Sequence, residues 1–281
     1  MTGLLICTDL DRTLIPNGAE PESPGARELF ARLVERDDVH LAYVSGRHKE
    51  LIEEAIAHYD LPVPDFAIAD VGSTIYKVEA GRWIHWDAWD RETAMDWRGK
   101  TAFDLRHLLE DLTALKLQEP EKQNTHKLSH YVDLDHPPEP LVETVTKRMA
   151  EAGFRANVIW SVDEEKGCGL LDILPPSANK LHAIRFMMTH EAVDVAHTVF
   201  AGDSGNDLDV LLSPLHSILV ANASREALEA VESADPENLY IAKGGFLGMN
   251  GCYGAGILEG IAHFCPEYAP VITALKQGAG S

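Results

Sequence analysis

The 281-residue chain has no apolar run approaching the roughly 20 residues that a membrane-spanning helix needs. Its four cysteines, Cys7, Cys168, Cys252 and Cys265, form no C-x-x-C pair, so neither a zinc site nor a disulfide framework is expected. The opening MTGLLICTDLD has no basic leader and no cleavage site. No secretory signal is therefore expected, and a reduced cytoplasm is the expected compartment. Positive charge is scarce: 24 Lys and Arg face 45 Asp and Glu, for a formal net charge of -21. That balance excludes nucleic acid and anionic membrane surfaces as expected partners. It also sets a problem, because an anionic substrate would be repelled by the protein as a whole. Any attraction must be local, from a metal ion or a few placed cations. The thirteen histidines are scattered and show no helix-borne metal spacing, so structural or surface roles are expected for them.

Apolar residues make up 45% of the chain, enough for a sizeable core. Residues 3–8 read as a buried strand that ends in ICTDLDRT. A helix is expected from Pro24 through Ala26, Leu29, Phe30, Leu33 and Val34. Val39 to Val44 reads as a second strand. It is followed by a helix carrying Leu51, Ile52, Ala55, Ile56 and Tyr59, then by strands at Phe66–Ala69 and near Ser73–Val78. This alternation predicts a parallel sheet flanked by helices. The middle changes character: Trp and Asp are dense from Trp83 to Trp97, and Leu105, Leu108, Leu109 and Leu112 are spaced as in a helix. KLSHYVDLD, NVIWSV and LLDIL read as strands, with a polar helix near residues 139–152. Alternation resumes at Asn179 and closes with a helix near Gly256–Phe264. The expected layout is an α/β Rossmann-like core (residues 1–80 and 175–281) with an inserted smaller α/β domain at 81–174.

Four polar motifs fall where predicted core strands end, the edge at which open α/β sheets bind ligands. They are Asp9-Leu10-Asp11-Arg12-Thr13, Ser45-Gly46-Arg47, Lys180 in PSANKLHAI, and GDSGND with Asp203, Asn206 and Asp207. Taken singly, each reads as a turn, a helix cap or a solvated lysine. Together they occupy one edge of one sheet.

The set DLDRT, SGR, NK and GDSGND resembles the motifs of the haloacid dehalogenase superfamily of phosphohydrolases. The insert resembles the cap of its Cof-like branch. ADVGSTIY, LQEPEKQNTHKLSHYVD and LLDILPPSANK are similar to segments of the sucrose-phosphate phosphatase group. The resemblance implies that Asp9 is a nucleophile forming an aspartyl-phosphate. Asp11 would protonate the leaving oxygen and then activate water. On an extended backbone, side chains two apart point the same way, so both carboxylates can reach one phosphoryl group. Mg²⁺ would cancel the charge between carboxylate and phosphate, held by Asp9, the Asp11 carbonyl and Asp203 with Asp207 beside them. Ser45, Gly46, Lys180 and Asn206 would hold the phosphate. From the cap, the resemblance points to Gln123, Asn124 and Lys127 as sugar contacts. The tryptophans are expected in the cap core.

The expected activity is Mg²⁺-dependent hydrolysis of a disaccharide phosphate, sucrose 6-phosphate first, by a monomer. Mannosylfructose phosphate and glucosylglycerol phosphate are alternative substrates, and a sugar phosphomutase is an alternative activity. A silent module that binds a glycosyltransferase is the reading from a different class. It makes a sucrose-phosphate synthase-like enzyme a candidate partner, although a silent module has no need of Asp9, Asp11, Lys180, Asp203 and Asp207 together. Two departures weaken sucrose in particular. Thr74 stands where the group's pattern carries Glu after VGS, and KGGFLGMNGCYGAG is longer and richer in glycine.

Overall fold

The computed structural model describes residues 3–163, 166–234 and 236–278. In chain order its first strands are β1 (Leu4–Thr8), β2 (Val39–Val44), β3 (Phe66–Ala69), β4 (Thr74–Glu79) and β5 (Arg82–His85). The middle of the chain supplies β6 (Lys116–Leu117), β7 (Leu128–Val132), β8 (Asn157–Asp163) and β9 (Cys168–Leu174). The last three are β10 (Thr198–Gly202), β11 (His216–Leu219) and β12 (Leu239–Ile241).

Among the described residues these strands build two sheets. The larger runs β12-β11-β10-β1-β2-β3-β4-β5 and is parallel from β12 to β3. Strands β4 and β5 complete it as an antiparallel hairpin. The smaller sheet, β6-β7-β9-β8, is antiparallel throughout.

The reason β1 is central lies in its side chains. All five residues are buried, with Leu4 and Ile6 packing into one core and Leu5 and Cys7 into the other. A strand apolar on both faces can sit only between two helical layers. The helices Ala26–Val34 and Gly254–Phe264 cover one face, and the helix Lys180–Glu191 covers the other. Register aligns Thr8 with Ala201 on one side and Tyr43 on the other. The residues just past β1, β2 and β10 therefore emerge side by side at one edge.

The middle departs from expectation in two ways. The boundary expected at residue 81 falls inside the β4–β5 hairpin, which still belongs to the larger sheet. The helix Asp87–Thr93 also packs there: Trp86 and Trp89 join the core against Phe66 and Phe186, and Trp83 joins the opposite one. Only Trp97, of the four tryptophans in this stretch, packs with the smaller sheet. The two crossings between the sheets meet where the Ser177 N–H donates to the Asp96 carboxylate at 2.9 Å. RWIH is too short and too mixed to announce itself as a strand. The second departure is at Leu105–Leu112. A helix of four residues, Ala102–Leu105, is capped by Thr101 and passes into a 3-10 turn over Arg106–Leu109. Leu105 and Leu109 are buried there, so the same spacing serves a tighter winding.

Gly202, the last residue of β10, illustrates how closely the edge is packed. A Cβ at this position would lie 2.7 Å from Cγ of Asp207, whose carboxylate is anchored on three sides and cannot give way cheaply. Gly202→Ala should therefore cost about 1–3 kcal/mol, the usual scale for overpacking, in urea unfolding. Unchanged stability would show that Asp207 is free to move.

Candidate active site

Lys180 is the first residue of its helix because Asn179 caps it, accepting the His182 N–H at 2.9 Å. Its side chain is 2% exposed. The ammonium lies 2.7 Å from Asp207 Oδ1, 3.1 Å from Asp9 Oδ1 and 3.2 Å from Asn206 Oδ1. Burial alone would pull the lysine down, but Asp207 and Asp9 outweigh it and hold the group charged. Asp207 Oδ2 accepts the N–H groups of Asp203 and Ser204, so this carboxylate also folds the turn that carries Asp203.

Asp203 accepts the Thr13 hydroxyl on Oδ1 at 3.3 Å. Its Oδ2 is buried without a hydrogen-bond partner, although Arg12 Nε lies 3.3 Å away. Oxygens of Asp9, Asp203 and Asp207 lie within 4.8 Å of one another. Burial pushes Asp9 up to about 7, with Lys180 pulling it back and Asp207 and Asp203 adding to the rise. Burial and the neighbouring Asp207 raise Asp203 to about 6. Such a cluster of hard oxygen donors, one of them held only by the Arg12 ion pair, fits a small divalent cation like Mg²⁺. Asp9 and Asp203 offer the free oxygens. Asp207 is the most engaged of the three.

Asp11 points elsewhere. Arg47 grips it through Nε at 2.8 Å and Nη2 at 2.6 Å, and the Asn17 amide adds a bond of 2.7 Å. Burial would raise this carboxyl, but the Arg47 and Asn17 contacts together hold it below the usual range. Ser45 is fully buried, and its hydroxyl accepts the Arg47 N–H at 3.2 Å. A cavity of about 280 Å³ joins these parts, lined by Asp9, Asp11, Arg12, Gly46, Arg47 and Asp203 among others. A larger cavity of about 520 Å³ beside Glu92, His182 and Arg185 has no such convergence of carboxylates. The chemistry favours the smaller one.

The structure thus brings Asp9, Lys180, Asn206, Asp203 and Asp207 together, with Asp11 and Gly46 on the same cavity. It does not bring Gln123, Asn124 or Lys127 there. The Gln123 amide is occupied by the backbone of Gln118 and Ser129, which makes it a brace for its own loop. Asn124 donates to Ser73 and Thr74, and Lys127 pairs with Asp70. Sequence reasoning assigned no role to Arg47, Arg12 or Asn17. The signal for Arg47 was present in SGR. Nothing local marks Asn17, whose role depends on the chain doubling back.

A family model described as sucrose-6F-phosphate phosphohydrolase matches residues 2–265. A relative from Nitrosococcus oceani, described only as a HAD-like hydrolase, is 54% identical over 94% of this chain and 72% of its own length. Sucrose-phosphatase 1 of Nicotiana tabacum is 29% identical over 93% of this chain, which spans only 59% of the tobacco protein. Among solved structures, a sucrose-phosphatase from Synechocystis in complex with sucrose and phosphate superposes with a TM-score of 0.72. It is 28% identical, and the match covers 94% of this chain and 98% of that one.

The raised carboxyls predict a pH-dependent response to metal. A folded value above the unfolded value of about 3.9 means that the folded chain holds the extra proton. The associated stability is full at low pH and is lost as pH rises through about 6 for Asp203 and about 7 for Asp9. Mg²⁺ should therefore raise Tm of chelator-treated protein little near about pH 5 and clearly more near about pH 8. Equal rises in thermal melts at the two values would contradict this ligand set.

Proposed function

This chain belongs to the sucrose-6F-phosphate phosphohydrolase family, and we propose that it hydrolyses a disaccharide phosphate with the help of Mg²⁺, sucrose 6-phosphate being the first candidate. The observation that carries the reading is the buried Asp9 carboxylate, facing the cavity with Lys180 at 3.1 Å and Asp203 beside it. Phosphate-monoester hydrolysis is very slow unaided, and a carboxylate nucleophile divides it into two easier displacements. Asp9 attacks phosphorus as the bond to the sugar oxygen breaks, giving an aspartyl-phosphate and a sugar alkoxide. Asp11 gives that oxygen a proton. It then takes one from the water that attacks phosphorus and releases Asp9.

Lys180 and the N–H groups around Gly46 hold the non-bridging oxygens. Asp9 and Asp203 would hold Mg²⁺, which would supply the charge that lets an anion approach a phosphate dianion. Arg47 holds Asp11 in its ionised form, so the dianion must draw the guanidinium away before Asp11 can carry a proton. These local cations are how a strongly acidic chain accommodates an anionic substrate.

The unit built on the smaller sheet is read as a cap that closes over the sugar. The phosphoryl group is alike in every sugar phosphate, so selectivity needs a second surface. One observation favours a glycosyl phosphate other than sucrose 6-phosphate. Thr74 hydrogen-bonds to Asn124 at the junction of the two units, where the family's pattern carries Glu. Mannosylfructose phosphate and glucosylglycerol phosphate are the alternatives.

A phosphate-release screen over sugar phosphates with Mg²⁺ tests the reading. Disaccharide phosphates should outrun glucose 6-phosphate and fructose 6-phosphate. Preference for a monosaccharide phosphate would overturn the substrate class. Asp9→Asn should abolish turnover on every ester. Asp11→Asn should lose about 10²–10⁴-fold while still binding substrate, the scale of lost general acid-base assistance. Wild-type rates in both variants would remove the pair from the mechanism.

A further inference from the structure

The turn Asp70–Thr74 is a constrained piece of backbone beside the loop that lines the cavity. Asp70 (φ 52) and Val71 (φ 60) both adopt left-handed conformations, which are unfavourable for any side chain and rarest for a β-branched one. Gly72 follows at φ 95, and a Cβ there would lie 2.3 Å from the Asn179 carbonyl carbon. The turn is held by what surrounds it. The Asp70 N–H donates to the Arg47 carbonyl, the Val71 N–H to the Ser45 carbonyl, and Trp89 Nε1 to the Gly72 carbonyl. It therefore touches the loop carrying Ser45 and Arg47 and the start of the Lys180 helix at once.

The same turn receives the loop from the other sheet. Lys127 Nζ lies 3.4 Å from Asp70 Oδ1, and both side chains are less than a tenth exposed. Asn124 Nδ2 donates to Ser73 Oγ at 2.8 Å and to Thr74 Oγ1 at 3.0 Å, and Thr74 in turn donates to Asp70 Oδ2 at 3.4 Å. We propose that Asp70 is a positioning residue, which latches the Asn124–Lys127 loop of the cap onto the turn that shapes the phosphate-binding edge. This rests on reading the smaller-sheet unit as a cap. Closing the cap and setting the Ser45–Arg47 loop then share one strained turn. The contacts of the Asp70 carboxylate with Lys127 and Thr74 are both long, and burial raises its carboxyl against the pull of Lys127 and Asn124.

The test combines Asp70→Asn, Lys127→Met and the double variant with two substrates and one direct probe of the latch. KM for sucrose 6-phosphate should rise about tenfold in each single variant and no further in the double, the non-additivity of partners in one contact. The kcat for p-nitrophenyl phosphate, too small to need the cap, should change by less than about twofold, because the side-chain substitutions leave the backbone bonds from Asp70 and Val71 to the Arg47 and Ser45 carbonyls in place. Acetylation of Lys127, followed by mass spectrometry, should be slow in the wild type and about tenfold faster in Asp70→Asn, as for a group released by local opening. The exposed Lys147 serves as the internal reference. Equal losses on both substrates, additive losses, or unchanged Lys127 labelling would each overturn the proposal. If wild-type protein hydrolyses p-nitrophenyl phosphate but not sucrose 6-phosphate, the substrate reading fails by itself. The labelling then still decides the latch.

Discussion

One buried ammonium holds the site together. Three carboxylates crowded at a sheet edge repel one another, and removal from water makes that repulsion worse. Lys180 bonds directly to Asp9 and Asp207, and Asp207 organises the turn that carries Asp203. Without the lysine, Asp207 would be a buried charge with no cation, typically a loss of about 3–5 kcal/mol. The cation also orders the site by role. The carboxylate it bonds most closely, Asp207, becomes structural, while Asp9 and Asp203 keep oxygens for other work. Asp9 rises to about 7 because Lys180 only partly offsets burial. A cation at Asp203 would complete the compensation.

The parallel sheet makes this economy of charge possible. Strands β2, β1 and β10 are neighbours running the same way, so segments nearly two hundred residues apart end at one edge. The helix Lys180–Glu191 then needs only its first residue at that edge to supply the cation. Arg12 and Arg47 add charge from the two loops. These cations are paired with Asp9, Asp11, Asp203 and Asp207, so a metal ion at Asp9 and Asp203 would be what makes the site of a chain of net charge -21 receptive to a phosphate dianion.

Much of this was legible in the sequence, for a physical reason. Buried strands are continuous apolar runs, and Leu4–Thr8, Val39–Val44 and Phe66–Ala69 stand where such runs predict them. The helix Arg225–Ala234 was not anticipated, although Ala227, Leu228 and Val231 stand at helical spacing on its core-facing side. Strand β12 has three half-buried residues and offers no pattern. The cavity's motif residues were legible because they follow strands directly. What escaped were partners created by the fold: Asn17 on Asp11, Arg47 across the loop, and Asp70 beneath Lys127. The cap side chains show the converse. Amides and a lysine suit sugar hydroxyls on paper, but Gln123, Asn124 and Lys127 are engaged by Ser129, Ser73 and Asp70.

The central claim is that Asp9 is a reagent and not merely a ligand or a structural charge. The stereochemical course at phosphorus, followed with a chirally labelled phosphate ester, tests it most directly. Two successive in-line displacements, the first by Asp9 and the second by water, each invert phosphorus, so the account predicts net retention. Net inversion would mean that water attacks the ester directly, and Asp9 would then be no nucleophile.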